Sequence, residues 1–280
     1  MTKPEVIFSA NPDNPSPSPQ STLLQDTPDT SRNASLAIHR NNYLHVQVDN
    51  AMRILAIETS VFPGEIALAE DDHILVEIPI DPKLRQTRAL VPHIADTLAQ
   101  QNWKPEQVEL IAVSIGPGSF TGLRVGVTCA KTFAYSVGAK VIRVETLEAI
   151  AENCPDDEMC ISVAADAQQQ NVYRTEFRRN QNSSALYEAI PLEIISHQDW
   201  FTELDQKTLA TGPVLNKLAE RIPAECRIAS PRLQNPHAGG IARLGWRNYE
   251  HHGASDLWSL EPRYYRKSAA EENWKAKNPN

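Results

Sequence analysis

Gly116-Pro117-Gly118-Ser119-Phe120-Thr121-Gly122-Leu123-Arg124 lies between an apolar run, residues 109–115 (ELIAVSI), and a stretch with helical spacing, residues 122–137. A strand, a tight glycine-bearing turn and a helix in that order belong to an α/β fold. Gly116 and Gly118 let the backbone turn sharply and approach a neighbour. Two readings of the turn stay open. In one, Ser119 or Thr121 simply caps the helix; in the other, the free N–H groups of the helix start hold an anion, with Ser119 and Thr121 touching a phosphate. Three sharper motifs fail. No Lys completes a Walker loop, the third glycine falls one residue late for a dinucleotide fingerprint, and Ser119 is not in a GxSxG elbow.

Moving outward, residues 53–59, 65–70 and 73–80 read as three strands, with turns at Phe62-Pro63-Gly64 and Asp71-Asp72. A helix over 88–101 follows, placing Leu90, Ile94 and Leu98 at four-residue steps, with Pro92 expected near its first turn or at a kink. After the decisive loop come a strand at 140–144 and a helix at 146–153 capped by Thr146, so 53–153 reads βββαβαβα. The second half repeats this more weakly. It has strands at 159–165, 171–178, 186–195 and 225–229, and helices near 197–204, 213–221 and 237–250. The expected fold class is therefore α/β, a duplicated βββαβα unit with a mixed sheet in each of two lobes, as in the actin, Hsp70 and sugar-kinase superfamily. The expected domains are a first lobe at 52–153, a second at 154–266 and a polar tail at 267–280.

Residues 1–51 differ in composition. They hold six of the twenty prolines, no glycine and two aromatics, Phe8 and Tyr43. Small polar residues alternating with Pro cannot offset the entropy of ordering, so a disordered extension is expected, with one short strand at 43–48 and Met52 as the real or an alternative start. The chain carries 27 Lys and Arg against 35 Asp and Glu, a formal charge of −8. Such a chain has no global field drawing it to phosphate or to an anionic membrane, so weak nucleic-acid binding by the chain alone is expected. The local basic cluster Arg174, Arg178 and Arg179 reads as a solvated strand end. The four cysteines show no CxxC, and the start lacks the pattern of a signal peptide, so a reducing cytoplasm is the expected compartment. His93 stands alone, and the neighbours His251 and His252 point to different helix faces, so no metal site is expected. Glu58 and Asp166 are of general acid–base type, but without geometry they select no chemistry.

MRILAIETS at 52–60, IGPGSFTGLRVGVTCAKTFA at 115–134 and Thr146-Leu147 are similar to the TsaB family, also called YeaZ. The similarity continues more weakly through Asp166, Val172 and Tyr173 and through Glu261-Pro262-Arg263-Tyr264-Tyr265-Arg266. The resemblance implies an actin-like, non-catalytic subunit that binds and activates TsaD. TsaD transfers a threonylcarbamoyl group to the tRNA adenosine beside the anticodon. It implies pairing with TsaD through the first lobe, a TsaE-like ATPase in the complex, tRNA reached through that complex, and a homodimer when the chain is alone. No cofactor is required by the chain on this reading, with ATP or ADP confined to the partner interface. The alternative is an ATP-binding actin-like enzyme acting by itself, its contacts being Glu58, Thr59, Gly116, Gly118, Ser119 and Thr121. The family usually ends its first strand in Asp-Thr, where actin-like enzymes set a carboxylate near the metal and phosphate. Glu58-Thr59 departs from that, which weakens the nucleotide reading.

The helix at 122–137 joins both lines of reasoning. Gly122, Gly126, Ala130 and Ala134 recur every four residues, leaving one side nearly bare beside the apolar seam of Leu123 and Val127. Two interior glycines cost about 1 kcal/mol each relative to Ala, so a close neighbour is expected to compensate. That neighbour is either the chain's own helix or sheet, or a partner helix. With the family's use of the first lobe, the expected partner interface comprises Leu90, Ile94, Leu98, Gly122, Leu123, Gly126, Val127, Ala130 and Ala134. On this view Gly126→Leu breaks a complex and leaves the monomer folded.

Overall fold

The computed structural model describes residues 51–84, 86–180 and 185–266. The expected extension apart from Ala51, the strand at 43–48 and the polar tail at 267–280 lie outside the described residues. No helix among the described residues is long and apolar enough to cross a membrane.

The first sheet grows from β1 (Arg53–Glu58), whose unbroken apolar run suits a central strand covered on both faces. It pairs antiparallel with β2 (Glu65–Glu70), which pairs antiparallel with β3 (His73–Pro79). On its other side β1 runs parallel to β4 (Leu110–Gly116), and β4 parallel to β5 (Lys140–Glu145). The helices α1 (Gln86–Gln100), α2 (Phe120–Val137) and α3 (Thr146–Glu152) alternate with these strands. The chain then repeats itself. β6 (Cys160–Asp166), β7 (Asn171–Arg179) and β8 (Leu186–Ser196) are antiparallel neighbours, and β9 (Leu209–Thr211) and β10 (Arg227–Ile228) add in parallel. Between and after them stand α4 (His197–Glu203), α5 (Leu215–Leu218) and α6 (Ala238–His252). The orders β3-β2-β1-β4-β5 and β8-β7-β6-β9-β10 are the same topology twice. The duplicated α/β fold with mixed sheets expected from the sequence is what forms.

Each unit lends its last helix to the other. Helices α1 and α2 cover one face of the first sheet, packing Leu90, Ile94, Val127 and Ala130 on Leu55, Ile57, Ile111 and Val113. The opposite face is covered by α6, through Ile241, Ala242 and Leu244 against Ile54, Ala56 and Leu110. Conversely α3 puts Leu147, Ile150 and Ala151 on Ile161 and Val163 of the second sheet. Residues 238–252, expected with the second lobe, thus complete the core of the first. The other face of the second sheet packs Ala164 and Val172 on α4 and α5, with Trp200 at the centre.

Three local expectations need correction. Thr146 is the first residue of α3 rather than its cap; Glu145 holds the cap position, and the Thr146 hydroxyl instead accepts a hydrogen bond from the Gly116 N–H at 3.2 Å. Pro92 stands within α1, beyond its first turn. The basic cluster on β7 is not a solvated strand end. Arg174 is buried between Glu193 (2.7 Å) and Glu203 (2.5 Å), and Arg179 is buried with a bond to the Cys154 carbonyl (2.8 Å). Of the three, Arg178 alone faces water; its parity matches that of Arg174, but the β7–β8 register shifts on both sides of Glu176, between the two arginines.

Candidate functional site

The loop after β4 takes its shape from what it lies against. Gly116 has φ of +121°, a region that side chains rarely adopt. The following Gly116–Pro117 peptide is cis. Gly118 passes so close to Ser60 that a Cβ would fall 2.6 Å from the Ser60 Cβ and carbonyl oxygen. The Ser119 N–H donates to the Ser60 carbonyl at 2.7 Å, and the Ser119 hydroxyl accepts from the Gly122 N–H at 3.2 Å. Ser119 provides the cap of α2 that one of the two readings of this turn expects. Thr121 is exposed and caps nothing.

Glu58 ends β1 beneath this loop and is fully buried. Its Oε1 accepts from both the N–H and the hydroxyl of Ser60, each at 2.5 Å. Burial raises the carboxyl above the usual range, and the hydrogen bonds from Ser60 only partly oppose that. Its role is to hold the turn at Ser60. Thr59 is equally buried, its Oγ1 without a hydrogen-bond partner. Of the six residues expected to contact a nucleotide, Gly118 and Ser119 reach the cleft, whereas Glu58, Thr59, Gly116 and Thr121 do not line it.

That cleft, about 1200 Å³, opens between the two sheets. The first sheet contributes Ser60, Gly118 and Phe120, the second Asp166, Tyr173 and Lys217, and residues 263–266 close one side. Three of its charged side chains are in ion pairs. Lys217 lies 2.7 Å from Asp166 and Arg263 lies 2.7 Å from Glu145. Burial works against the Asp166 carboxylate, yet the Lys217 hydrogen bond and the Gln168 N–H hold it below the usual range. Arg124 stacks over Phe120 at 4.0 Å and donates from Nε to the Tyr264 hydroxyl at 2.9 Å. Among the described lining residues no histidine or cysteine stands beside Ser60 or Ser119 to activate a hydroxyl. The sequence reading missed the contribution of Arg124, Tyr173, Lys217 and residues 263–266 to this cleft. The signal available was the dense Arg and Tyr cluster at 263–266.

The expected partner interface needs correction. Leu90, Ile94, Leu98, Gly122, Leu123, Gly126, Val127, Ala130 and Ala134 are all buried within the chain itself. The two glycines meet the residue that follows β1: a Cβ at Gly122 would overlap the Thr59 carbonyl oxygen, and one at Gly126 would overlap Thr59 Oγ1. The bare face of α2 is therefore where the helix lies on its own sheet. The outward face carries other residues, among them Val91 on α1, 64% exposed, with Thr128, Thr132 and Tyr135 on α2.

Away from the cleft, Glu65, Glu77 and His237 come within 4.8 Å of one another and are the described residues that could hold a cation. They already serve another purpose. Glu65 and Glu77 accept from the Ala238 and Gly239 N–H groups at the start of α6 (3.2 and 2.5 Å). His237 Nδ1 lies 3.1 Å from Glu65 and its Nε2 bonds the Arg232 carbonyl at 2.8 Å. The Glu65 hydrogen bond drives the imidazole up to about 9, against partial burial, so His237 is a cation at neutral pH. A raised pKa gives stability that is complete below about 6.5 and is lost as pH rises through about 9. We expect the wild-type melting temperature to fall over that window and His237→Gln to lack that part of the fall. Parallel slopes for both proteins in melts at pH 6, 7.5 and 9.5 would refute it. His93 is likewise structural, its Nε2 accepting from the Asp81 N–H at 3.2 Å.

Comparison with known proteins agrees with this architecture. The family model of TsaD, described as tRNA N6-adenosine threonylcarbamoyltransferase, matches residues 79–235, more than half of the chain. The tRNA threonylcarbamoyladenosine biosynthesis protein TsaB of Bacillus subtilis (strain 168) is 30% identical over 230 residues, covering 80% of this chain and 98% of that protein. The Escherichia coli (strain K12) protein of the same name is 30% identical over 133 residues, 47% of this chain and 57% of its own length. Two solved Pseudomonas aeruginosa structures share the fold. One, described as an uncharacterized protein similar to peptidase YEAZ, has a TM-score of 0.65 at 21% identity, covering 77% of this chain and all of that one. The other, YeaZ, has a TM-score of 0.63 at 22% identity, covering 76% and 99%. With near-complete coverage of the Bacillus protein and a duplicated fold shared with YeaZ, this chain belongs to the TsaB (YeaZ) family.

Proposed function

We propose that the chain is a non-catalytic subunit in tRNA threonylcarbamoyladenosine biosynthesis, which binds and activates a TsaD-type threonylcarbamoyltransferase. The burial of Glu58 carries the reading. It is the carboxylate that an actin-like enzyme of this topology would present to a metal and phosphate. Here it is fully buried and bonded to Ser60, so it does not reach the cleft. What the first lobe does offer is the outward face of α1 and α2, with Val91 and Tyr135 exposed on a rigid helix pair. On this reading a TsaE-like ATPase joins the complex, tRNA is reached through it, and a homodimer forms through the same face when the partner is missing. The chain needs no cofactor of its own, and ATP or ADP would sit at the partner interface.

The test is reconstitution. Threonylcarbamoyl transfer to tRNA is expected with the TsaD-type partner present and not with this chain alone. Val91→Asp is expected to leave the melting temperature unchanged, since the side chain faces water, and to weaken association with the partner about tenfold or more. Wild-type association by Val91→Asp would remove α1 from the interface. The second reading, an ATP-binding actin-like enzyme acting by itself, draws on the size of the cleft and its Lys217 and Arg263. ATP turnover by the purified chain would favour it and overturn the first.

A further inference from the structure

Residues 255–266 run as a strap from the first sheet to the second. Ser255 joins β5, its N–H donating to the Val141 carbonyl at 2.8 Å. Lys131 of α2 then holds the carbonyls of Trp258 (2.9 Å) and Leu260 (3.0 Å), and Leu260 is buried in the core under α1 and α2. The Arg263 N–H donates to the Ile115 carbonyl at 2.8 Å, and Tyr264 packs on Phe120 with ring centroids 4.7 Å apart. Within two more residues the strap reaches the other unit. Tyr265 meets Tyr173 of β7 at 5.9 Å, and Arg266 donates to the carbonyls of Ala167 (2.6 Å) and Gln168 (3.5 Å).

The turn that Arg266 grips is unusual. Gln168, Gln169 and Gln170 are consecutive non-glycine residues with φ of 65°, 52° and 63°. Such conformations are disfavoured for side-chain-bearing residues and persist where surrounding contacts hold them. The turn is held by Asp166 and Asn171, by the His197 N–H, which donates to the Gln170 carbonyl at 2.9 Å, and by the strap. The strap is thus anchored on α2 at two places and ends on a strained turn across the cleft.

We propose that residues 261–266 are a latch that couples α2 to the β6–β7 turn and so sets the opening of the cleft. Arg124 and Phe120 grip the first-lobe end through Tyr264, and Arg266 holds the far end. A partner docked on the outward face of α2 thereby reaches the second lobe without touching it. That last step rests on the proposed docking surface; the latch itself does not.

Amide hydrogen exchange on the full chain tests it. Arg266→Gln should speed exchange at 167–171 about tenfold while β1 and β4 amides keep their protection. Arg124→Gln, altered only at the α2 end, should speed exchange at the same second-lobe turn severalfold. If Arg266→Gln loosens the whole chain, Arg124→Gln, at an exposed side chain, decides alone. Unchanged exchange at 167–171 in Arg124→Gln overturns the latch. Adding a TsaD-type partner to wild type should slow exchange at 167–171. Binding without that slowing, with the Arg124→Gln effect present, would leave the latch standing and reject its link to the partner. No binding at all would instead reject the docking surface.

Discussion

Gly126→Leu is expected to prevent the monomer from folding, and Gly126→Ala to destabilise it by about 2–3 kcal/mol, the upper range for overpacking a filled core. The reason is local. An ideal Cβ at Gly126 overlaps Thr59 Oγ1 and lies 3.6 Å from Ile57 Cγ2; Ile57 is in β1, Thr59 directly follows it, and both are fully buried. The central strand is flanked by β2 and β4 and cannot retreat. The loss should appear as a fall in melting temperature of roughly 2–4 °C per kcal/mol. A double-mutant cycle makes the argument specific. The overlapping atom is a hydroxyl that is buried without a partner, so Thr59→Ala should cost little and should restore most of the Gly126→Ala loss. A stable, folded Gly126→Leu monomer that fails only in partner binding would reinstate the interface expected from the sequence. Additive losses in the cycle would show that some other contact is responsible.

The same helix shows what a one-dimensional pattern can and cannot say. The four-residue recurrence from Gly122 to Ala134 states that something approaches α2 closely, and that is correct. It does not state whether a helix or a sheet does so, because spacing describes one surface and not its partner. Leu90, Ile94 and Leu98 carried the same ambiguity, and all three face the first sheet. Strand order was far more legible. The apolar runs at 54–57 and 110–113 required strands covered on both faces, and the repeated βββαβα pattern then fixed two copies of one topology. The exchange of α3 and α6 between units was not legible, since a short amphipathic helix carries no mark of which sheet it covers. Ser119 was legible as a cap, whereas Glu58 was not readable as a buried group. A carboxylate after an apolar strand reads as exposed until the Ser60 turn is seen closing over it.

Arg174→Met is expected to destabilise the chain by about 3 kcal/mol, and Arg178→Met far less, although the two lie four residues apart on one strand. Arg174 has a side chain 5% exposed and reaches three carboxylates: Glu193 at 2.7 Å, Glu203 at 2.5 Å and Glu176 at 3.9 Å. It ties β8 and α4 to β7, and its removal leaves negative groups close together without their cation. Glu193 and Glu203 are partly in water, which places the loss at the lower end of what breaking a buried pair costs. Arg178 is 54% exposed and pairs from the water side with Glu176, 10% exposed, which keeps Arg174 at 3.9 Å when Arg178 is removed; water and salt screen the gain. Arg174→Lys should recover little of the loss, since one ammonium cannot span three carboxylates as a guanidinium does. Denaturant melts at low and high salt would check this, the Arg174 loss persisting at high salt and the Arg178 effect fading. Equal losses, or a neutral Arg174→Met, would return the cluster to the solvated strand end read from the sequence. The distinction bears on function as well. Buried arginines are not available to phosphate, so Arg174→Met, assayed where it remains folded, should leave any tRNA retention by the isolated chain unchanged.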